Sequence, residues 1–148
     1  FVTLHKHEEL RGCTGVLVPR APLALEVSRT AAQTALYDPR FEAVRPDEVP
    51  DLDIEISVLT SPRRLNVETP SQLPRLLRPG IDGVTLIKGP YRATFLPQVW
   101  QRVPDPETFL NMLCQKMGLP ASTWRLLSLD VEVYQVQGFS DHSLAQSA

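Results

Sequence analysis

The chain has 148 residues, 43% of them hydrophobic and 22% charged, the balance of one globular domain that buries a core without disulfide staples. A net charge of −2 argues against a protein that grips nucleic-acid backbones, and no apolar run approaches the roughly 18 residues needed to cross a bilayer. Cys13 and Cys114 lie about a hundred positions apart with no CxxC or Cys/His ligand spacing, which excludes a disulfide scaffold and makes a reducing cytoplasm the expected setting.

The chain opens at Phe1, inside an expected strand and without a methionine, so a segment is expected to precede it. Residues 1–4 read as a strand, 5–9 as a polar turn and 10–18 as a second strand ending before Pro19, together a hairpin. Pro22 suits the first turn of a helix reaching Leu36. Leu23, Val27, Ala31 and Ala35 recur every four residues and predict a stripe of mostly small side chains against a sheet. Asp38-Pro39-Arg40-Phe41 stops that helix, because a residue before proline disfavours helical angles. A helical turn follows over 46–49, and then a strand over 52–59 that alternates Ile54, Ile56 and Val58 against Asp53, Glu55 and Ser57. Arg63-Arg64 and Arg75 with Arg78 are local basic clusters beside prolines and read as solvated surface.

Thr69 is placed to cap a short helix over 72–77 that Pro79-Gly80 ends. Residues 83–88 and 91–96 form a second hairpin around Gly89-Pro90. Asp105 then caps a helix with Pro106 in its first turn; it buries Phe109, Leu110, Leu113 and Met117 and closes at Gly118-Leu119-Pro120. A last strand spans 129–136, and the polar tail from Ser140 is expected to fray. Hairpins mixed with three or four helices predict an α+β fold, a mainly antiparallel sheet flanked by helices.

The richest stretch chemically is Leu10-Arg11-Gly12-Cys13-Thr14-Gly15. Glycines on both sides of Cys13 remove side chains that would hinder close approach and permit backbone angles other residues avoid. Arg11, two positions away, is able to activate the thiol or hold an anion, since strand alternation puts Arg11 and Cys13 on one face and Gly12 and Thr14 on the other. His5 and His7 have a spacing that places two ligands on one strand face, and Cys13 would make a third. They lie in a polar turn, however, and no metal is expected; no cofactor motif is present either. Asp38 and Arg40 could bind a substrate group through the guanidinium fork, though a turn-stabilising Asp38 with Arg40 in a structural ion pair, and Phe41 anchored in the core, is the favoured reading. Glu55 is either a base or orienting carboxylate near Ser57 or part of an exposed sheet face. Lys116 suits the last turn of its helix, and Cys114 lies within an apolar helical stripe as a core residue.

These blocks together resemble the AMMECR-type domain, the family that includes protein A of the bacterial and archaeal AmmeMemoRadiSam system. The resemblance rests on LRGCTG at 10–15, DPRF at 38–41, EISVL at 55–59, GIDGVTL at 80–86, ATFLPQVW at 93–100, FLNMLCQKMGLP at 109–120 and Trp124. Thr14 stands where the motif usually has Ile and adds a hydroxyl beside the thiol; Met117 stands where Ala is usual. The resemblance implies a single domain over 1–148 made of two subdomains, the larger drawn from both chain ends, with the cysteine motif facing a cleft between them. It also implies a helical segment ahead of the first strand, and association with a Memo-like protein and a radical-SAM protein. Three readings stay open: a recognition or accessory domain, which is favoured; an enzyme using Cys13 in thiol chemistry, with Glu55 or a histidine as proton acceptor; and a structural subunit without a ligand. The oligomeric state is not legible in the sequence.

Overall fold

The computed structural model describes residues 1–126 and 129–141. The strands in chain order are β1 (Val2–Lys6), β2 (Glu9–Thr14), β3 (Leu52–Leu59), β4 (Arg63–Arg64), β5 (Gly83–Lys88), β6 (Tyr91–Phe95), β7 (Asp130–Tyr134) and β8 (Val136–Ser140). The α-helices are α1 (Leu23–Tyr37), α2 (Leu73–Leu76), α3 (Pro106–Lys116) and α4 (Thr123–Leu126). The expected antiparallel sheet is in fact two four-stranded sheets, ordered β2-β1-β3-β8 and β4-β7-β5-β6. The chain divides into two compact units, Phe1–Val58 with the stretch from Gln137, and Leu59–Val136.

In the first unit β1 runs antiparallel to both β2 and β3. The hairpin turn is tighter than the polar stretch suggested: His7 (φ 52°) and Glu8 (φ 68°) make it alone, in the left-handed region that two-residue hairpin turns require. Past the turn, Leu4 faces Gly12 while His5 faces Leu10, so Arg11 is the extra residue of a β-bulge. The buried face of α1 is rotated from the predicted stripe. Leu23 is exposed, and Thr30 and Thr34 are the buried positions. Gly12 explains the shift, because a Cβ there would lie 2.9 Å from Thr34 Cγ2 and 3.1 Å from the Thr34 carbonyl oxygen. The helix therefore makes a close backbone approach over this glycine, with Val27, Ala31 and Ala35 of the predicted stripe half-buried. The Thr34 hydroxyl is satisfied there, donating to the Thr30 carbonyl (2.8 Å) and accepting from Thr14 Oγ1 (2.6 Å).

The second unit carries the large apolar core, in which Val84, Leu86, Val131 and Val133 of the sheet meet Phe109, Leu110 and Leu113 of α3. Asp105 caps α3 by accepting from the Thr108 amide at 2.8 Å, and Trp100 stacks on Phe109 with ring centroids 3.7 Å apart. Cys114 is fully buried in this core. Thr69 precedes a 3₁₀ turn, Pro70–Gln72, and its hydroxyl meets Ser71 rather than capping the backbone. The single strand expected over 129–136 is broken at Gln135 into β7 and β8, which belong to different sheets. Ser140 closes β8 instead of opening a frayed tail, and the tail beyond Asp141 lies outside the described residues. Among the described residues no helix is long and apolar enough to cross a membrane.

Candidate functional site

Cys13 lies next to the end of β2, an edge strand, directly opposite Thr3. Its sulfur accepts a hydrogen bond from Thr3 Oγ1 at 3.3 Å. The backbone N–H and C=O of Cys13 point outward, which is why its side chain and that of Thr3 come close. On an edge strand these outward groups would ordinarily meet water or another chain. Here both are taken by the loop after α1: the Cys13 amide donates to Asp38 Oδ2 (2.9 Å), and Arg40 Nη2 donates to the Cys13 carbonyl (2.9 Å).

Asp38 is the organising group of this clamp. Its side chain is only 2% exposed and also accepts from the Arg40 amide (3.1 Å), Nε (3.0 Å) and Nη2 (2.7 Å). The Arg40 guanidinium holds the Asp38 carboxyl far below the usual carboxylate range, against the opposing pull of burial. The DPRF segment is thus a turn whose ion pair reaches across to β2. Phe41 is half-buried under the Arg40 guanidinium, 5.4 Å from its ring centre, and is not the core anchor expected.

Arg11 does not turn toward the thiol. The bulge breaks the alternation that would have aligned it with Cys13. Its Nη2 and Nε reach Glu48 at 3.1 and 3.4 Å, and Nη1 donates to the Glu42 carbonyl at 2.8 Å. Lys6 Nζ meets the same carboxylate at 3.0 Å. The Arg45 backbone amide first, then Arg11 and Lys6, bring the Glu48 carboxyl down to about 2. Glu48 sits in a 3₁₀ turn, Pro46–Asp51, that the sequence marked only as a short helical turn.

The glycines of the motif serve space, not unusual angles. The positive-φ glycines are Gly80, Gly89 and Gly118, whereas a Cβ on Gly12 would strike Thr34 and one on Gly15 would overlap the Phe1 ring. The Thr14 hydroxyl, expected beside the thiol, faces α1 and bonds Thr34; the hydroxyl at the sulfur belongs to Thr3.

Glu55 also pairs with Thr3, from the other side, so Cys13, Thr3 and Glu55 form one cross-strand row on a single sheet face. Their outer backbones stand about 10 Å apart, two strand spacings, with Thr3 between them. Ser57, on the same face, is buried. The next row pairs His5 with Asp53. Beside these rows an open pocket of about 320 Å³ is lined by His5, Glu8, Asp53, Glu55 and Asp141 among others. His7, in the turn, no longer shares a strand face with His5, and the described residues contain no group of three or more His, Cys, Asp or Glu able to hold a metal. The structure therefore gathers Asp38 and Arg40 on Cys13, aligns Glu55 through Thr3, and sends Arg11 elsewhere. Thr3, Thr34 and Glu48 escaped the sequence reading; an even alternation of Thr3 with His5 was the one local signal for the first of them.

Comparison with known proteins agrees with these motifs. The sequence profile of the AMMECR1 family matches residues 1–139. A protein of Methanothermobacter thermautotrophicus is 41% identical over 146 residues, covering 95% of this chain and 74% of its own length. One from Thermococcus gammatolerans is 39% identical, covering 91% and 67%. The crystal structure of an uncharacterized protein from Pyrococcus horikoshii superposes with a TM-score of 0.82 at 35% identity, over 94% of this chain and 71% of the other.

Proposed function

This chain belongs to the AMMECR1 family, and we propose that it acts as a recognition or accessory component: the sheet face bearing Cys13, Thr3 and Glu55 binds a protein segment or small substrate alongside Memo-like and radical-SAM partners. One observation carries this reading, the fixed surroundings of Cys13. Its backbone is held on both sides by Asp38 and Arg40, its sulfur receives a proton donor from Thr3, and Arg11 is committed to Glu48. A nucleophilic thiol needs a base within reach to take its proton, and the group hydrogen-bonded to the Cys13 sulfur is a threonine hydroxyl, which is not one. Rigid backbone, a half-buried row of polar side chains and an adjoining open pocket suit binding better than bond-making.

Co-purification of the chain with the Memo-like and radical-SAM proteins tests the proposal. Retention of at least one partner across a range of salt concentrations is expected, with Glu55→Lys weakening it. Stable independence from both partners would overturn it. A pH profile of thiol alkylation already on its plateau near about pH 7 would instead favour a thiol enzyme.

A further inference from the structure

A second candidate site lies wholly within the Leu59–Val136 unit and owes nothing to Cys13. There an open cavity of about 190 Å³ is lined by Thr60, Ser61, Arg63, Arg78, Asp82 and Tyr134 among others. The sequence placed Arg63 and Arg78 in solvated basic clusters, but the structure separates the members. Arg64 pairs with Asp130 on the surface, whereas Arg63 and Arg78 face the cavity.

The lining is rich in donors and poor in acceptors. Asp82, its side chain 2% exposed, accepts from the Arg78 amide (2.9 Å), from Nε (3.2 Å) and from Nη2 (2.7 Å), so both carboxylate oxygens are engaged. That engagement fixes the guanidinium plane and leaves Arg78 Nη1 without a partner among the described residues. Arg63 likewise has no ion pair or hydrogen-bonded side-chain partner among them. Thr60 Oγ1 accepts from the Gln135 amide at 2.9 Å, which leaves its own proton to donate, and the Ser61 hydroxyl is adjacent. The Tyr134 hydroxyl is engaged elsewhere, with Thr94 Oγ1 and the Phe95 carbonyl, and is not among the cavity's free donors. A buried carboxylate that orients an arginine, a second arginine, and hydroxyls with free protons are the means by which proteins hold an oxyanion.

We infer that this cavity binds a single oxyanion group, a phosphate or a carboxylate, held between Arg63 and Arg78 with Thr60 and Ser61 as hydroxyl donors. The test is titration of the isotope-labelled protein with inorganic phosphate, and separately with acetate, at constant ionic strength set by chloride, followed through amide resonances. Saturable shifts at Thr60, Ser61, Arg63 and Gln135 are expected with at least one of the two anions. Saturation by phosphate alone assigns a phosphate-bearing ligand, and saturation by acetate alone assigns a carboxylate. Arg63→Gln, at an exposed residue that supports no other side chain, should weaken binding at least tenfold; Thr60→Val should weaken it less. Linear shifts equal to those of added chloride, or Arg63→Gln with unchanged affinity in a folded protein, would overturn the inference.

Discussion

Replacing Asp38 by alanine tests the clamp on the β2 edge directly. The substitution removes the acceptor for the Cys13 amide and for the Arg40 amide, Nε and Nη2. Hydrogen bonds to a charged group contribute about 1.5–3 kcal/mol where a buried partner is left unsatisfied. The ion pair itself adds at most about 1 kcal/mol, because the Arg40 side chain is 54% exposed and water screens it. Asp38→Ala should therefore destabilise the protein by about 2–4 kcal/mol, read as a lower urea midpoint at unchanged m. Arg40 keeps its own hydrogen bond to the Cys13 carbonyl, so adding Arg40→Ala to the first variant should cost about 0.5–1.5 kcal/mol more, less than Arg40→Ala costs in the parent, a non-additive cycle. Hydrogen exchange locates the effect, with the Cys13 amide losing protection before the amides of α3. A loss below about 0.5 kcal/mol for Asp38→Ala, or an unchanged Cys13 amide, would refute the reasoning.

Gly12→Ala should cost about 1–3 kcal/mol by thermal or urea unfolding, because the new methyl meets the Thr34 backbone as well as its side chain. Iodoacetamide should modify Cys13 before Cys114 in the folded protein, as mapped by mass spectrometry; Cys114 is fully buried, and burial raises its thiol pKa. The depressed pKa of Glu48 makes its contribution to stability complete above its ordinary value, about 4.5, and lost as pH falls through about 2. Glu48→Gln should accordingly be less stable than the parent at neutral pH and lose less stability across that acid window, measured by urea midpoints at successive pH values.

The helix α3 could be read directly because its signals are local: Asp105 and Pro106 at the start, apolar residues one turn apart, and Gly118 at φ 85° past the end. The hairpins were legible for the same reason. What escaped the sequence depends on distant partners. A bulge adds one residue without a signature of its own, so Arg11 looked aligned with Cys13 until the register showed otherwise. Thr34 falls outside the stripe predicted for its helix, and the space left by Gly12 on the sheet is what lets it be buried. The pairing of Arg11 with Glu48 joins an edge strand to a proline-flanked turn, and no local spacing encodes it. The Asp38–Arg40 pair was foreseen within its own turn, but its grip on the Cys13 backbone was not.

The break at Gln135 has a practical meaning for dissecting the molecule. At the start and finish of the central unit, the Thr60 amide donates to the Gln135 carbonyl and the Gln135 amide donates to Thr60 Oγ1, each at 2.9 Å. Entry and exit therefore stand side by side, and Leu59–Val136 is one continuous insert in the sequence between them. Such an insert can be excised as an uninterrupted polypeptide. Its host, by contrast, becomes one chain only when a short linker splices Val58 to Gln137.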